Sequence, residues 1–378
     1  MVAKSRIGIG SHFLELVDPR IDRTKRHLLI DIVVLSICAV IAGAEGWEDI
    51  EAFGKDKHDW LKKFLRLPNG IPSHDTISRV FRRLKPGEFD RCFASWTQSL
   101  HQEMSLTHIA IDGKTLRRSF DRATAKNTLH MVSGWSSENH LVLGQVATDD
   151  KSNEITAIPE LLKLLDVRGA IVTIDAMGCQ KKIAKQIVDQ GGDYVLAAKG
   201  NQPKLFEAIK DCFLAVHENE SFKEFGCRSI RTSEKGHGRE EVRTFCIMPV
   251  PEQILKEHPD WPGLKSIAQV INITQRDGKE TSEVRCYICS IKPTVKRFAK
   301  ASRGHWGVEN SLHWVLDVTF NEDQSRIRKD HGPHNFSTLR KVAACMLKQD
   351  TSKQSIKRKK KRAAWNNQFL LNVLTHTT

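Results

Sequence analysis

Apolar residues in the first hundred positions recur at helical spacing, and beyond position 106 they fall into short strand-like runs. The stretch 28–44 is apolar nearly throughout and predicts a buried helix, although it carries Asp31 and Ser36. Residues 47–64 predict a second helix, with Ile50, Phe53, Trp60 and Phe64 at helical intervals. The turn cluster Leu67-Pro-Asn-Gly-Ile-Pro72 follows, and Ser73 then stands as N-cap for a helix over 75–84. That helix bears Arg79, Arg82 and Arg83 on one side, with Val80, Phe81 and Leu84 toward its own core. Pro86-Gly87 ends it, and 89–104 predicts one helix more. Short helices around an arginine-bearing one suit a DNA-contacting module, with Arg79, Arg82 and Arg83 as the candidate contacts. The alternative is a packing domain whose arginines are merely solvated.

Strand patterns occupy 107–112, 129–135 and 141–148, the last two joined by a hairpin connection at 136–140. A helix over 157–165 leads to a strand at 170–175, and a helix over 180–190 leads to a strand at 194–198. A hairpin followed by β-α-β units fits a mixed sheet of the ribonuclease H type. After a helix at 203–216 come four strand-like runs, 227–232, 241–247, 266–274 and 282–291, read as a β-rich insertion at about 204–294. Helical periodicity resumes at Val295. The chain is thus expected to be α/β, with a helical domain over 1–104, a core over 105–350 and a tail over 351–378. The tail holds Lys-Arg-Lys-Lys-Lys-Arg at 357–362, and charges packed so densely predict disorder until a polyanion binds.

Two of the strands end on a carboxylate. One reads Thr107-His-Ile-Ala-Ile-Asp112-Gly-Lys114, the other Ile171-Val-Thr-Ile-Asp175-Ala-Met-Gly178. An apolar strand is buried, so its end is where an acid can emerge into a cleft, and ligand chemistry in open α/β sheets favours strand ends. Two such strands side by side would place Asp112 and Asp175 together, the arrangement that hard divalent cations require. The bland alternative is that each Asp only caps the following turn.

Composition sharpens the choice of partner. The 378 residues predict more than one domain, and a net charge of +14 points to polyanions, nucleic acid before an anionic membrane surface. The 28–44 stretch is short for a membrane span, and no export signal precedes it, so the reading is a cytoplasmic protein with no membrane partner. Nine cysteines without regular spacing argue against a disulfide scaffold, and Cys286 and Cys289 read as strand residues rather than zinc ligands.

A metal pair held by two aspartates usually needs a third acid. In the helical pattern around Arg303-Gly-His-Trp306-Gly-Val-Glu309, residues 305, 309, 312, 313 and 316 share a face. Glu309 would then sit among Trp306, Leu312 and Leu316, where a charge is costly unless paired or metal-bound. Asp317, Glu322 and Asp323 are the alternatives.

These residues resemble bacterial insertion-sequence transposases of the DDE class, the group that includes the H-repeat-associated proteins. The carriers are Ile111-Asp-Gly-Lys-Thr-Leu-Arg-Arg118, Lys151-Ser-Asn-Glu-Ile155, Ile174-Asp-Ala-Met-Gly-Cys-Gln180, Tyr194-Val-Leu-Ala-Ala-Lys-Gly-Asn-Gln202, Gly238-Arg239, Arg303-Gly-His-Trp-Gly-Val-Glu-Asn310 and Leu316-Asp-Val318. The resemblance implies a ribonuclease H-like core with a β insertion before the last acid and an N-terminal associated domain. It also implies a Mg²⁺-dependent triad, which falls on Asp112, Asp175 and Glu309. Longer signatures in related transposases place Tyr, Arg and Lys around the third acid. Here His305-Trp306 precedes Glu309 and Leu316 stands at the Lys step, so those contacts do not carry over.

The implied reaction is phosphodiester hydrolysis followed by strand transfer on double-stranded DNA, with two Mg²⁺ (or Mn²⁺) ions. Lys114, Arg117, Arg118 and Lys199 are the candidate phosphate contacts beside the acids, and Arg239 a candidate contact in the β insertion. Pairing of two element ends implies a homodimer or larger assembly on DNA. The rival readings are a metal-dependent nuclease with the same core and an inactive DNA-binding relic.

Overall fold

The computed structural model describes residues 8–101, 107–120, 128–148, 154–220, 222–236 and 238–375. Residues 151–153 of the Lys151–Ile155 motif and the last positions of the expected 89–104 helix lie outside the described residues. The chain is mixed α/β and divides into two units. One comprises Met1–Ser105, Gly113–Asn153 and Glu309–Thr378, the other Leu106–Asp112 and Glu154–Val308.

In the first unit the N-terminal helices are α1 (Gly8–His12), α2 (Leu29–Ala42), α3 (Trp47–Asp56), α4 (His58–Leu61), α5 (His74–Arg83) and α6 (Pro86–His101). Strand β1 (His108–Thr115) passes from one unit to the other, and β2 (His130–Ser136) and β3 (Leu141–Thr148) form the antiparallel hairpin that the alternation predicts. Helix α2 is buried from Asp31 to Ile41, as its composition requires. Its Asp31 is accommodated because the carboxylate accepts the Leu67 amide at 2.8 Å and the Arg66 amide at 3.3 Å, fixing the turn ahead of α5. Burial pushes the Asp31 pKa up against those hydrogen bonds. Ser73 caps α5 by accepting the Thr76 amide, and Ile77, Val80 and Phe81 face inward.

The second unit contains, in chain order, α7 (Glu154–Leu164), β4 (Ile171–Ile174), α8 (Lys181–Asp189), β5 (Asp193–Ala198) and α9 (Pro203–Glu218). After these come β6 (Arg228–Gly236), β7 (Arg239–Pro249), α10 (Glu252–Glu257), β8 (Ser266–Arg276), β9 (Lys279–Cys289) and α11 (Val295–Val308). The strand order is β1-β4-β5-β9-β8-β7-β6, parallel from β1 to β5 and antiparallel beyond. The expected β insertion therefore extends the sheet from β5 rather than folding apart from it. Its strands are longer than the sequence pattern suggests. Asp277 and Gly278, with φ of 50° and 74°, close the β8–β9 hairpin in the left-handed conformation that an Asp-Gly pair adopts readily.

The first unit draws on residues from both sides of position 104, because its core includes the late helix α12 (Gly332–Gln349), buried from Gly332 to Leu347. Its polar residues conceal this role, since several of them find partners inside. Asn335 donates to the Phe81 and Leu84 carbonyls at 2.6 and 2.9 Å. His334 and Thr338 meet Asp90 at 2.6 and 2.9 Å, and the Lys341 ammonium donates to Gln145 at 2.6 Å and Ser133 at 3.0 Å. A helix buried all round is a core element whatever its hydropathy.

The expected disordered tail is corrected likewise. Residues Ile356–Trp365 form helix α13, and Asn367–Thr375 form α14. Lys359 is buried with its ammonium 3.1 Å from Asp350, and Lys360 donates to the Thr319 carbonyl at 2.9 Å. Pairing one of the six cations with Asp350 and seating a second on a backbone carbonyl inside the fold weakens the repulsion that argued for disorder. Both helices pack on α2. Deleting residues 355–378 should therefore remove Phe369, Leu370, Val373 and Leu374, all buried, and not merely a DNA contact. At about 1.5–3 kcal/mol each, their loss approaches the whole stability of a domain. A urea melt of the truncated chain should lack the first unit's cooperative transition.

Among the described residues no single helix is long and apolar enough to cross a membrane.

Candidate active site

The pairing of β1 with β4 puts His108 opposite Ile171, Ala110 opposite Thr173 and Ile111 opposite Ile174. The pairing ends there, and the next residue on each strand is an aspartate, Asp112 after Ile111 and Asp175 after Ile174. Paired positions in a sheet project to the same face, so continuing this register would bring the two acids to the same face at one step. Asp112 is not at the end of its own strand as expected, since β1 runs on to Thr115; it is at the end of its pairing with β4. Asp175 also caps the turn after β4, accepting the Met177 amide at 3.1 Å and the Gly178 amide at 3.4 Å. The capping reading and the site reading are therefore compatible. Gly178 is required by packing: a Cβ there would lie 2.2 Å from the Ile174 side chain.

Helix α11 covers the face from which these aspartates emerge. Phe298 and Ala301 pack in one apolar cluster with Ile171 at the start of β4. Further along, Gly304 passes so close to His108 that a Cβ would sit 2.6 Å from the ring. Next, His305 Nδ1 lies 3.1 Å from the Thr173 hydroxyl, which is itself 2.8 Å from His108 Nε2. The helix thus advances along β4 in the strand's own direction, held by a His-Thr-His chain two residues before Asp175. Burial pushes the His305 pKa down to about 4, so the ring is neutral near pH 7. Sequence reasoning missed this chain, because a histidine in a strand and another in a helix carry no sign that one threonine joins them.

The last residue of α11 is Val308, and Glu309 is the next in the chain. From there the helix widens into π-type turns over Glu309–His313 and Val315–Thr319. Such turns are rare and occur often at functional positions. The buried stripe runs through Val308, Leu312, Val315, Leu316 and Thr319. Glu309 is adjacent to that stripe and exposed, so the expected apolar surround is not observed. Among the described residues no three His, Cys, Asp or Glu side chains are grouped as a metal would need. Asp112 and Asp175 offer carboxylate oxygens, the donor chemistry that a hard divalent ion takes.

The alternative third acids are committed elsewhere. The Lys114 ammonium is buried and lies 2.6 Å from Asp317, 3.2 Å from Glu322 and 3.4 Å from Asp323. Burial works to lower the Lys114 pKa, but Glu322, Asp317 and Asp323 outweigh it and raise it. Burial likewise opposes ionisation of Glu322, and Lys114, Arg340 and Lys341 overcome it, so its pKa is lowered. Lys114 is therefore an internal counter-ion, which corrects the expectation that it holds phosphate. A lysine two residues after an acid looks identical in sequence whichever way its ammonium turns.

The other candidate cations are spread over both units. Arg117 is largely exposed and 3.3 Å from Asp323. Arg118 is half-buried, and its carbonyl accepts from Arg328. Lys199 is exposed at the end of β5, on a loop tied to the Asp175 turn because Asn201 donates to the Ala176 carbonyl and Gln202 to that of Cys179. Arg239 is exposed at the start of β7 and pairs with Glu241 at 2.7 Å. On α5, Arg79 and Arg83 are exposed, and Arg82 is half-buried and bonded to Asp330 at 2.7 Å.

Comparison with known proteins places these features in a family. Residues 10–97 match the domain described as DDE_Tnp_1-associated, and residues 103–346 match the transposase DDE domain. The "H repeat-associated putative transposase YhhI" of Escherichia coli (strain K12) is 44% identical over 353 residues, 92% of each chain. The "Inactive transposase YbfQ" of the same organism is 63% identical over 54 residues, 14% of this chain and 64% of that one. A cryo-EM structure of a piggyBac transposase synaptic complex with hairpin DNA is similar at 13% identity and a TM-score of 0.41, covering 97% of this chain and 76% of that one.

Proposed function

The chain belongs to the DDE-domain transposases, and we propose that it is the DNA transposase of an insertion sequence, built on a ribonuclease H-like core, with Asp112, Asp175 and Glu309 as its three acids. The observation that carries this reading is the β1–β4 register, whose last pair, Ile111 and Ile174, is followed on each strand by an aspartate, Asp112 and Asp175. Glu309 follows that helix directly, and its exposure leaves the carboxylate available to a ligand. Asp317, Glu322 and Asp323 compete poorly for the role while they neutralise Lys114.

The three carboxylates would hold Mg²⁺ or Mn²⁺, which when bound supplies Lewis-acid stabilisation of charge on the phosphate and activation of the attacking oxygen. The chain's own part is positional. The fixed cap on Asp175 and the His305-Thr173-His108 chain hold the donors without reorganisation. In the first reaction water attacks a phosphorus at the element end, the bond from phosphorus to the 3′ oxygen breaks, and a 3′-OH is released. That hydroxyl then attacks a phosphodiester of the target and displaces the target's own 3′ oxygen as a 3′-OH, joining the strands with no covalent bond to the protein. Lys199, exposed on the loop tied to the Asp175 turn, is the cation we assign to a phosphate there. Two element ends must be paired, so the active assembly on DNA is at least a homodimer.

A labelled duplex carrying the DNA that flanks the reading frame, incubated with Mg²⁺ and target plasmid, tests the reading. Joined product is the expected result. Cleavage without joining would make the protein a nuclease, and retardation without cleavage would make it an inactive DNA-binding relic.

A further inference from the structure

The segment 325–331, Ser-Arg-Ile-Arg-Lys-Asp-His, was not singled out by its sequence, yet it is fastened at both ends. At one end the Arg328 guanidinium donates to the Arg118 carbonyl at 3.1 Å and lies 4.8 Å from the centre of the Phe120 ring, just past β1. At the other, Asp330 pairs with Arg82 of α5 at 2.7 Å, and the His331 amide donates to the Arg82 carbonyl at 3.3 Å. The segment therefore bridges the exit of β1 and the arginine-bearing helix, all within the first unit. It forms one wall of a cleft of about 540 Å³, to which Arg82, Arg326, Arg328 and Lys329 contribute. Arg326 and Lys329 are exposed, and no carboxylate among the described residues pairs with either. Arg79 and Arg83 continue the exposed cations along α5. Glu45 and Glu48, beside and within the first turn of α3, also line the cleft and are exposed.

We propose that residues 325–331, with the exposed side of α5, form a phosphate track that guides the backbone of duplex DNA from the exit of β1 toward the N-terminal helices. Exposed cations on a segment docked at both ends suit a polyanionic backbone, and phosphate contacts of this kind position a duplex without reading it. Rigid anchoring matters here, because cations on a loose loop would lose conformational entropy on binding. The inference rests on the transposase reading above and adds residues to it that neither the motifs nor the acids indicate.

The test is the salt dependence of equilibrium binding to a fluorescently labelled duplex, without divalent metal, for wild type and for R326A/K329A. Each lost phosphate contact should lower the slope of log K against log salt by about 0.9, so the double variant should lose about 1.8 and bind more weakly. R79A/R83A added to it should lower the slope further, and E48Q alone should tighten binding. Thermal melting should be unchanged, and R326Q/K329Q serves if the alanine variant does not fold. Wild-type slope and affinity in the folded variant would overturn the track while leaving the transposase reading intact. No binding by wild type would overturn both. Stronger competition by duplex RNA than by DNA of equal length would reassign the track to A-form nucleic acid and overturn the DNA assignment.

Discussion

Replacing Lys114 with Met should destabilise the protein by about 3–5 kcal/mol, the usual cost of removing one partner from a buried ion pair. Glu322 is buried, and Asp317 and Asp323 are partly so, with Lys114 bonded to all three. Without the ammonium, three carboxylates share a site whose remaining close cations among the described residues are Arg117, 3.3 Å from Asp323, and Arg340, 3.9 Å from Glu322. The fold would respond by protonating an acid or by opening the segment after Glu309. A urea melt measures the loss, and K114M/E322Q should recover part of it, because the second change removes the stranded charge. If K114M melted like wild type and instead bound DNA with a shallower salt slope, Lys114 would be the phosphate ligand that its place after Asp112 suggests.

The second large effect is on chemistry. D112N, D175N and E309Q should each lower strand cleavage by on the order of a thousandfold or more, about 4 kcal/mol in the barrier. Stability should hardly change. D175N keeps the side-chain oxygen that accepts the Met177 and Gly178 amides, so the turn survives. Glu309 is exposed, and its amide replacement leaves no buried group unpaired. The comparison set is D317N, E322Q and D323N, which should show the reverse pattern of reduced stability with cleavage retained in the folded fraction. DNA binding without metal should survive in all six, which separates substrate capture from catalysis. Strong cleavage by E309Q would move the third acid to the Lys114 cluster.

Local patterns gave the elements that local physics controls. The apolar run of α2, the Ser73 cap of α5 and the inward Val80 and Phe81 follow from spacing and capping. So does the β1/β4 pair, since two apolar strands with an acid at the same step leave little choice of register. What spacing could not give depends on partners distant in sequence. Helix α12 carries His334, Asn335, Thr338, Arg340 and Lys341 and reads as a surface helix, yet Asp90, Gln145 and Glu322 satisfy those groups from inside. For the same reason the division of the chain was not legible, because the N-terminal helices complete their core with residues from beyond position 332. The six-cation run of the tail reads as unfolded until Asp350 and the Thr319 carbonyl are known to take up two of its ammonium groups. Glu309 shows a subtler limit. Its helix was legible, but the buried stripe centres on Val308 and Leu312, and a shift of one residue moves an acid from the interior to the surface.

The central claim is that metal binds at Asp112 and Asp175 with Glu309 completing the set. Crystals of the protein bound to an element end, soaked in Mn²⁺ and recorded for anomalous scattering, test it most directly. The account predicts anomalous density between the Asp112 and Asp175 carboxylates, with a Glu309 oxygen within about 2.0–2.2 Å of one ion, a distance typical of hard-ion coordination. Density instead among Asp317, Glu322 and Asp323, with Lys114 displaced, would contradict it.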